Sequence, residues 1–107
     1  MKSIEITVTP EDIATGMRRS PEYCPVAQAL LKKRPDLLGV RVNRKSAELI
    51  AESGKELYDL PQEAQDFIDA FDDSRTPKSV FQTMHKADRT FRLFQMAHPY
   101  ERQQSEE

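Results

Sequence analysis

The chain has no tryptophan, one cysteine and three glycines in 107 residues. A single cysteine cannot close an internal disulfide, and no paired-cysteine or His-x-x-x-His spacing offers the roughly four ligands a structural zinc needs. Three glycines leave no glycine-rich phosphate loop and argue against a glycine-dependent all-β sandwich. No apolar run approaches the roughly 18 residues of a membrane span. The opening MKSIEITV is too short in apolar residues to form a signal core. The expectation is a soluble chain in a reducing interior such as cytoplasm, with no membrane partner.

The charge that is present is segregated. The formal net charge is −2, yet Arg18 to Lys45 carries eight basic residues against Glu22 and Asp36, a balance of +6. Ala47 to Ser74 carries nine acids and only Lys55, a balance of −8. Such a bipolar chain can steer an anionic ligand to one side or orient two copies head to tail, so a homo-oligomer is compatible with it.

Periodicity predicts the elements. Ile4, Ile6 and Val8 alternate with Glu5 and Thr7, the period-two pattern of a half-buried strand. Thr9, Pro10, Glu11 and Asp12 form a helix-start signal, with Ile13 and Met17 on one face and Ser20-Pro21 as the stop. Val26, Ala27, Leu30 and Leu31 predict a second helix from about Pro25 to Lys33, and Leu38 to Val42 reads as a short strand. For 47–60 two readings stand: Ser46 capping a helix that ends at Gly54, or AELIAE and KELYDL as strands joined at Ser53-Gly54. Pro61 at a first helical position, followed by Ala64, Phe67, Ile68 and Phe71, marks the clearest helix. Val80 to Ala87 reads as irregular or weakly helical, and Thr90 to Met96 as a last strand. The expectation is one domain over 1–97 with a polar tail, 98–107, that is loose unless a partner holds it.

Few residues offer chemistry. Cys24 directly precedes Pro25, so it stands where a helix N-terminus would favour thiolate, but a solitary thiol before Val26-Ala27 fits a buried packing residue better. Asp12, Asp66, Asp69, Asp72 and Asp73 are acid–base candidates, although runs of carboxylates on a helix are usually solvated, and Asp72-Asp73 suit a turn. His85 and His98 belong to no motif. No catalytic residue, metal or cofactor is assigned, and the expectation is that the chain is not an enzyme. Anion binding has more support. The second helix presents unpaired N–H groups at its start, Arg18 and Arg19 lie just upstream, Tyr23 can stack on a base, and Arg41, Arg44 and Lys45 extend the basic area. A pI near 5.7 argues against strong nonspecific DNA binding.

In order, ITVTPEDIATG, YCPVAQAL, the VRV strand, YDLPQEAQDFIDAFDD and TFRLF resemble a family of short uncharacterised proteins of bacteriophages and bacterial genomes. The shared features are a V-T-x-x-D-I opening (Val8, Thr9, Asp12, Ile13), a C-P-hydrophobic-A core (Cys24, Pro25, Val26, Ala27) and an L-P-x-x-A-x-x-F-I-x-x-F-D helix (Leu60, Pro61, Ala64, Phe67, Ile68, Phe71, Asp72). They cover most of residues 4 to 95. The chain departs from that family in a longer stretch from Arg75 to Arg89 and in its charged tail. The resemblance weighs toward the hairpin over 47–60, the preferred reading, and toward Cys24 as a packing residue. It implies a phage-type source, hence a host cytoplasm, and carries no activity.

The expected fold is α+β, a small, mostly antiparallel sheet of about four strands with about three helices on one face. The leading expectation for function is a phage-type accessory binding protein, with counter-defence as one role it would suit, that sequesters a phosphorylated or nucleotide ligand or occludes a host protein. Its contacts are Arg18, Arg19 and Tyr23, with Arg41, Arg44 and Lys45 as a rim. The alternatives are a nucleic-acid-associated regulator using the same 18–45 surface and a small enzyme with the Cys24 thiol.

Overall fold

A computed structural model describes residues 2–96; the 98–107 tail lies outside the described residues. The fold is α+β, one five-stranded antiparallel sheet with four helices. The strands are β1 (Ser3–Val8), β2 (Gly39–Val42), β3 (Ser46–Ala51), β4 (Gly54–Asp59) and β5 (Arg89–Gln95), in the spatial order β1-β5-β4-β3-β2. The helices are α1 (Pro10–Thr15), α2 (Pro25–Lys33), α3 (Gln62–Asp72) and α4 (Lys78–Met84).

Alternation gives the sheet one apolar face. Ile4, Ile6, Val8, Phe91, Leu93, Tyr58, Ala47, Leu49, Val40 and Val42 are buried, while their neighbours Glu5, Thr7, Arg92, Phe94 and Arg41 are exposed. The α2 helix packs on β1 and β2, and α3 meets the same face through the Phe67 ring, 5.6 Å from that of Phe91. One residue of slip would turn every apolar side chain of a strand outward, so burial of this face pins the register. The 47–60 segment is the hairpin. Ala51 pairs with Gly54 across a Glu52-Ser53 turn, one residue earlier than expected, and Gly54 takes φ 136°, a region open chiefly to glycine.

Several elements differ from their sequence expectation. The α1 helix starts as expected, with Thr9 Oγ1 accepting from the Asp12 N–H at 3.2 Å and the Thr9 N–H donating to Asp12 Oδ2 at 2.9 Å. It then stops at Thr15 rather than near Ser20. At Gly16 a Cβ would lie 2.8 Å from both the Asp12 carbonyl oxygen and the Pro25 ring, so the start of α2 occupies the space a longer helix would need. Met17 therefore leaves the buried face and is 57% exposed. Pro61 precedes α3 as its N-cap. Asp72 ends α3 and Asp73 caps it, at the turn position expected for the pair. The Val80–Ala87 region contains a true helix, α4, because Lys78 Nζ donates to the Ala14 and Gly16 carbonyls at 2.7 and 2.8 Å and Phe81 is buried against Phe67 and Phe71. A fifth strand and a fourth helix thus exceed the expected counts.

The basic and acidic segments touch where Arg34 meets Glu56 and Arg44 approaches Asp69. Arg34 reaches both Asp36 (2.9 Å) and Glu56 (3.1 Å), and Lys55 lies 3.7 Å from Glu48. The buried Asp12 carboxylate accepts from Lys32 Nζ at 2.7 Å, tying α1 to α2. No helix among the described residues is long and apolar enough to cross a membrane.

Candidate functional site

The start of α2 borders a cleft of about 440 Å³, with walls from the 16–24 loop (Arg19, Ser20, Pro21, Cys24), the end of β2 and its turn (Val42, Asn43, Arg44) and α3 (Ile68, Asp69, Asp72). Three pieces remote in sequence converge there because the Val42 N–H donates to the Pro21 carbonyl (2.7 Å) and the Arg19 N–H donates to Asp72 Oδ1 (2.8 Å). Arg19 is held at φ 56°, the left-handed region that costs a non-glycine residue about 1 kcal/mol or more, and the carboxylate on its N–H secures that turn.

Of the six expected contacts, the cleft brings together Arg19 and Arg44. Both are exposed. Arg19 has no side-chain partner among the described residues, and Arg44 Nε stands 3.9 Å from Asp69 Oδ1, beyond hydrogen-bond length. Arg18 turns the other way. Its guanidinium donates to the Thr76 carbonyl and lies 5.8 Å from the centre of the Phe71 ring, while its buried Nε has no partner. Tyr23 is 57% exposed on the adjoining loop, and its carbonyl accepts from the Met17 N–H at 2.9 Å. Arg41 projects from the outer face of the sheet opposite Glu48, and Lys45 is exposed in the β2–β3 turn; neither lines the cleft.

Sequence reasoning missed the polar wall. In sequence, Asp69 and Asp72 read as acid–base candidates on a usually solvated helix face, Asp72 also as a turn residue, and neither Ser20 nor Asn43 carries a binding signal. Spacing alone places Asp69 and Asp72 beside Ile68 and so at the border of the buried stripe, which is where a cleft wall must be; their partners lie some 25 to 53 positions away in the chain.

Cys24 forms part of the cleft's base at 3% exposure, its Sγ accepting from the Ala27 N–H at 3.5 Å as the cap of α2. Burial pushes the thiol up, the backbone donors of Ala27 and Val26 oppose this, and the Asp72 charge raises it further. The net direction is upward, which keeps the thiol protonated at neutral pH. His85 sits instead on the Phe81 ring, with centroids 4.2 Å apart. His98 lies outside the described residues. Among the described residues no group of three or more His, Cys, Asp or Glu side chains could hold a metal ion. Compared with known proteins, the chain matches no family model, no curated protein and no solved structure.

Proposed function

We propose that this protein acts by binding, holding a small phosphorylated ligand in the cleft beside α2. The observation that carries this reading is the pair of guanidinium groups, Arg19 and Arg44, that border one concavity without a close side-chain hydrogen bond. Guanidinium donors suit phosphate oxygens. Asp69 and Asp72 share the cleft and would repel a bare polyanion, so the ligand class they fit carries donors as well as phosphate. A nucleotide meets both conditions, with phosphate toward the arginines and sugar hydroxyl or base amino groups toward the carboxylates. In the setting the phage-family resemblance implies, such binding sequesters a nucleotide in the host cytoplasm.

Occlusion of a host protein is the second reading, favoured by Met17 and Tyr23, each 57% exposed on the loop that forms one wall. The nucleic-acid reading has less support, since Arg44 lines the cleft while Arg41 is exposed on the outer face of the sheet, and a buried, protonated Cys24 offers little to thiol catalysis.

The test is calorimetric titration of a nucleotide panel, cyclic dinucleotides included, against wild type and an Arg19→Gln/Arg44→Gln variant at two salt concentrations. Well-formed hydrogen bonds to charged groups contribute about 1.5 to 3 kcal/mol each, so the double change should lower affinity by roughly two to four orders of magnitude. Heat from no anion removes the nucleotide reading and leaves protein occlusion.

A further inference from the structure

At the opposite end of the sheet from the cleft, β1 is an edge strand. The Gln95 N–H donates to the Lys2 carbonyl, and Ile4, Ile6 and Val8 stand opposite Leu93, Phe91 and Arg89. In an antiparallel ladder alternate residues exchange their backbone bonds with the partner, so the even positions of β1 face β5 and the N–H and C=O groups of Ser3, Glu5 and Thr7 point away from the sheet. Those groups have no partner among the described residues. The strand has no proline or bulge to blunt it, devices by which open edges are commonly protected.

Beside this edge runs a groove of about 290 Å³, lined by Glu5, Thr7 and Thr9 on the strand side and by Ala29, Lys32 and Lys33 of α2. Its free charge is positive. Glu5 is taken by Arg92 at 3.0 Å, Lys32 is half exposed beyond its bond to Asp12, and Lys33 is exposed with no ion pair among the described residues.

We infer that this groove takes an extended acidic segment of a partner protein, added as a further strand along β1. The outward backbone groups of Ser3, Glu5 and Thr7 supply the ladder, and alternate side chains of the incoming strand face α2, where Asp or Glu meets Lys32 and Lys33. A second copy of this chain fits less well. Antiparallel self-pairing centred on Glu5 would set Glu5 opposite Glu5 and bring the lysines of both α2 helices onto one surface. This groove is separate from the cleft at Arg19 and Arg44, and its occupancy does not depend on what that cleft binds.

The test uses the full chain, isotope-labelled, with an end-blocked peptide of alternating Glu and Thr as probe and its Lys-Thr counterpart as control. The Glu-Thr peptide should bind in an anisotropy titration and slow amide exchange at Glu5 and Thr7, and the control should not. Lys33→Glu should weaken binding by about tenfold or more. Thr7→Pro removes an N–H that faces away from β5, a substitution edge strands tolerate, and should abolish binding. Should that variant fail to fold, the exchange pattern of wild type decides. Equal binding of the two peptides, binding of neither, or unprotected Glu5 and Thr7 amides in the bound state would overturn the inference. So would protection of those amides that rises with protein concentration alone, because the occupant would then be a second copy.

Discussion

At the scale of single residues, Cys24 illustrates how one side chain is decided by its neighbours. Its sulfur caps α2, its surface is almost wholly covered, and the cleft above it is bordered by Asp72, whose charge opposes ionisation. Thiol reactivity follows the thiolate fraction and access, and both are low here. A thiol reagent should therefore label the native protein slowly and the denatured protein fast, with a native-state thiol that titrates above its ordinary value. Rapid native labelling at neutral pH would contradict the burial of the sulfur. Arg18 makes the complementary point. A residue that reads as half of an anion-binding pair is spent on the Thr76 carbonyl and the Phe71 face, so its replacement should loosen the approach to α4 rather than empty the cleft.

At the scale of elements, α3 carries the aromatic cluster that joins it to α4 and the sheet. Phe67 and Phe71 are buried, with Phe81 at 5.6 and 5.4 Å from their respective ring centres. Phe71→Ala should cost about 3 to 5 kcal/mol, a large share of the 5 to 15 kcal/mol typical of a domain, and a denaturant midpoint that barely moves would contradict this packing. Elements such as β1, α2, α3 and β5 were legible because one-sided burial imprints a local period on the sequence. The end of α1 and the whole of α4 were not, because contacts decide them: the Pro25 ring stands against Gly16, and the Ala14 and Gly16 carbonyls hold Lys78. The cleft was half legible for the same reason. Its cations could be named, but their juxtaposition with Asp69 and Asp72 depends on tertiary closure. The outward direction of Arg41 was readable throughout, since Val40 and Val42 on either side of it face the core.

At the scale of the whole molecule, acid should weaken the fold in two stages. Burial, aided by the Arg89 charge, holds His85 below its ordinary 6.5, so the folded state prefers the neutral ring. Its contribution is complete above pH 6.5 and is lost as pH falls through the lowered folded value. Glu56 is held below its ordinary 4.5, chiefly by hydrogen bonds from Arg34 with burial opposing, and Asp73 is brought from 3.8 to about 2, chiefly by hydrogen bonds from Arg75. These carboxylates contribute fully above 4.5 and 3.8 and lose that contribution as they are protonated below. The thermal midpoint should thus decline first below pH 6.5 and again below 4.5, and His85→Leu should abolish the first decline while keeping the second. A single decline confined to the lower range in wild type would remove the role given to His85. The strand order sets a condition of another kind. The β5 strand follows the other four in the chain, yet it lies inside the sheet, between β1 and β4. During synthesis β1 leaves the ribosome first and has no neighbour to pair with until β5 follows, while the nascent β4 shows an open edge on the side β5 will occupy. The sheet therefore closes only after its interior strand has emerged, and until then the β5-facing sides of β1 and β4 stay open to other nascent chains.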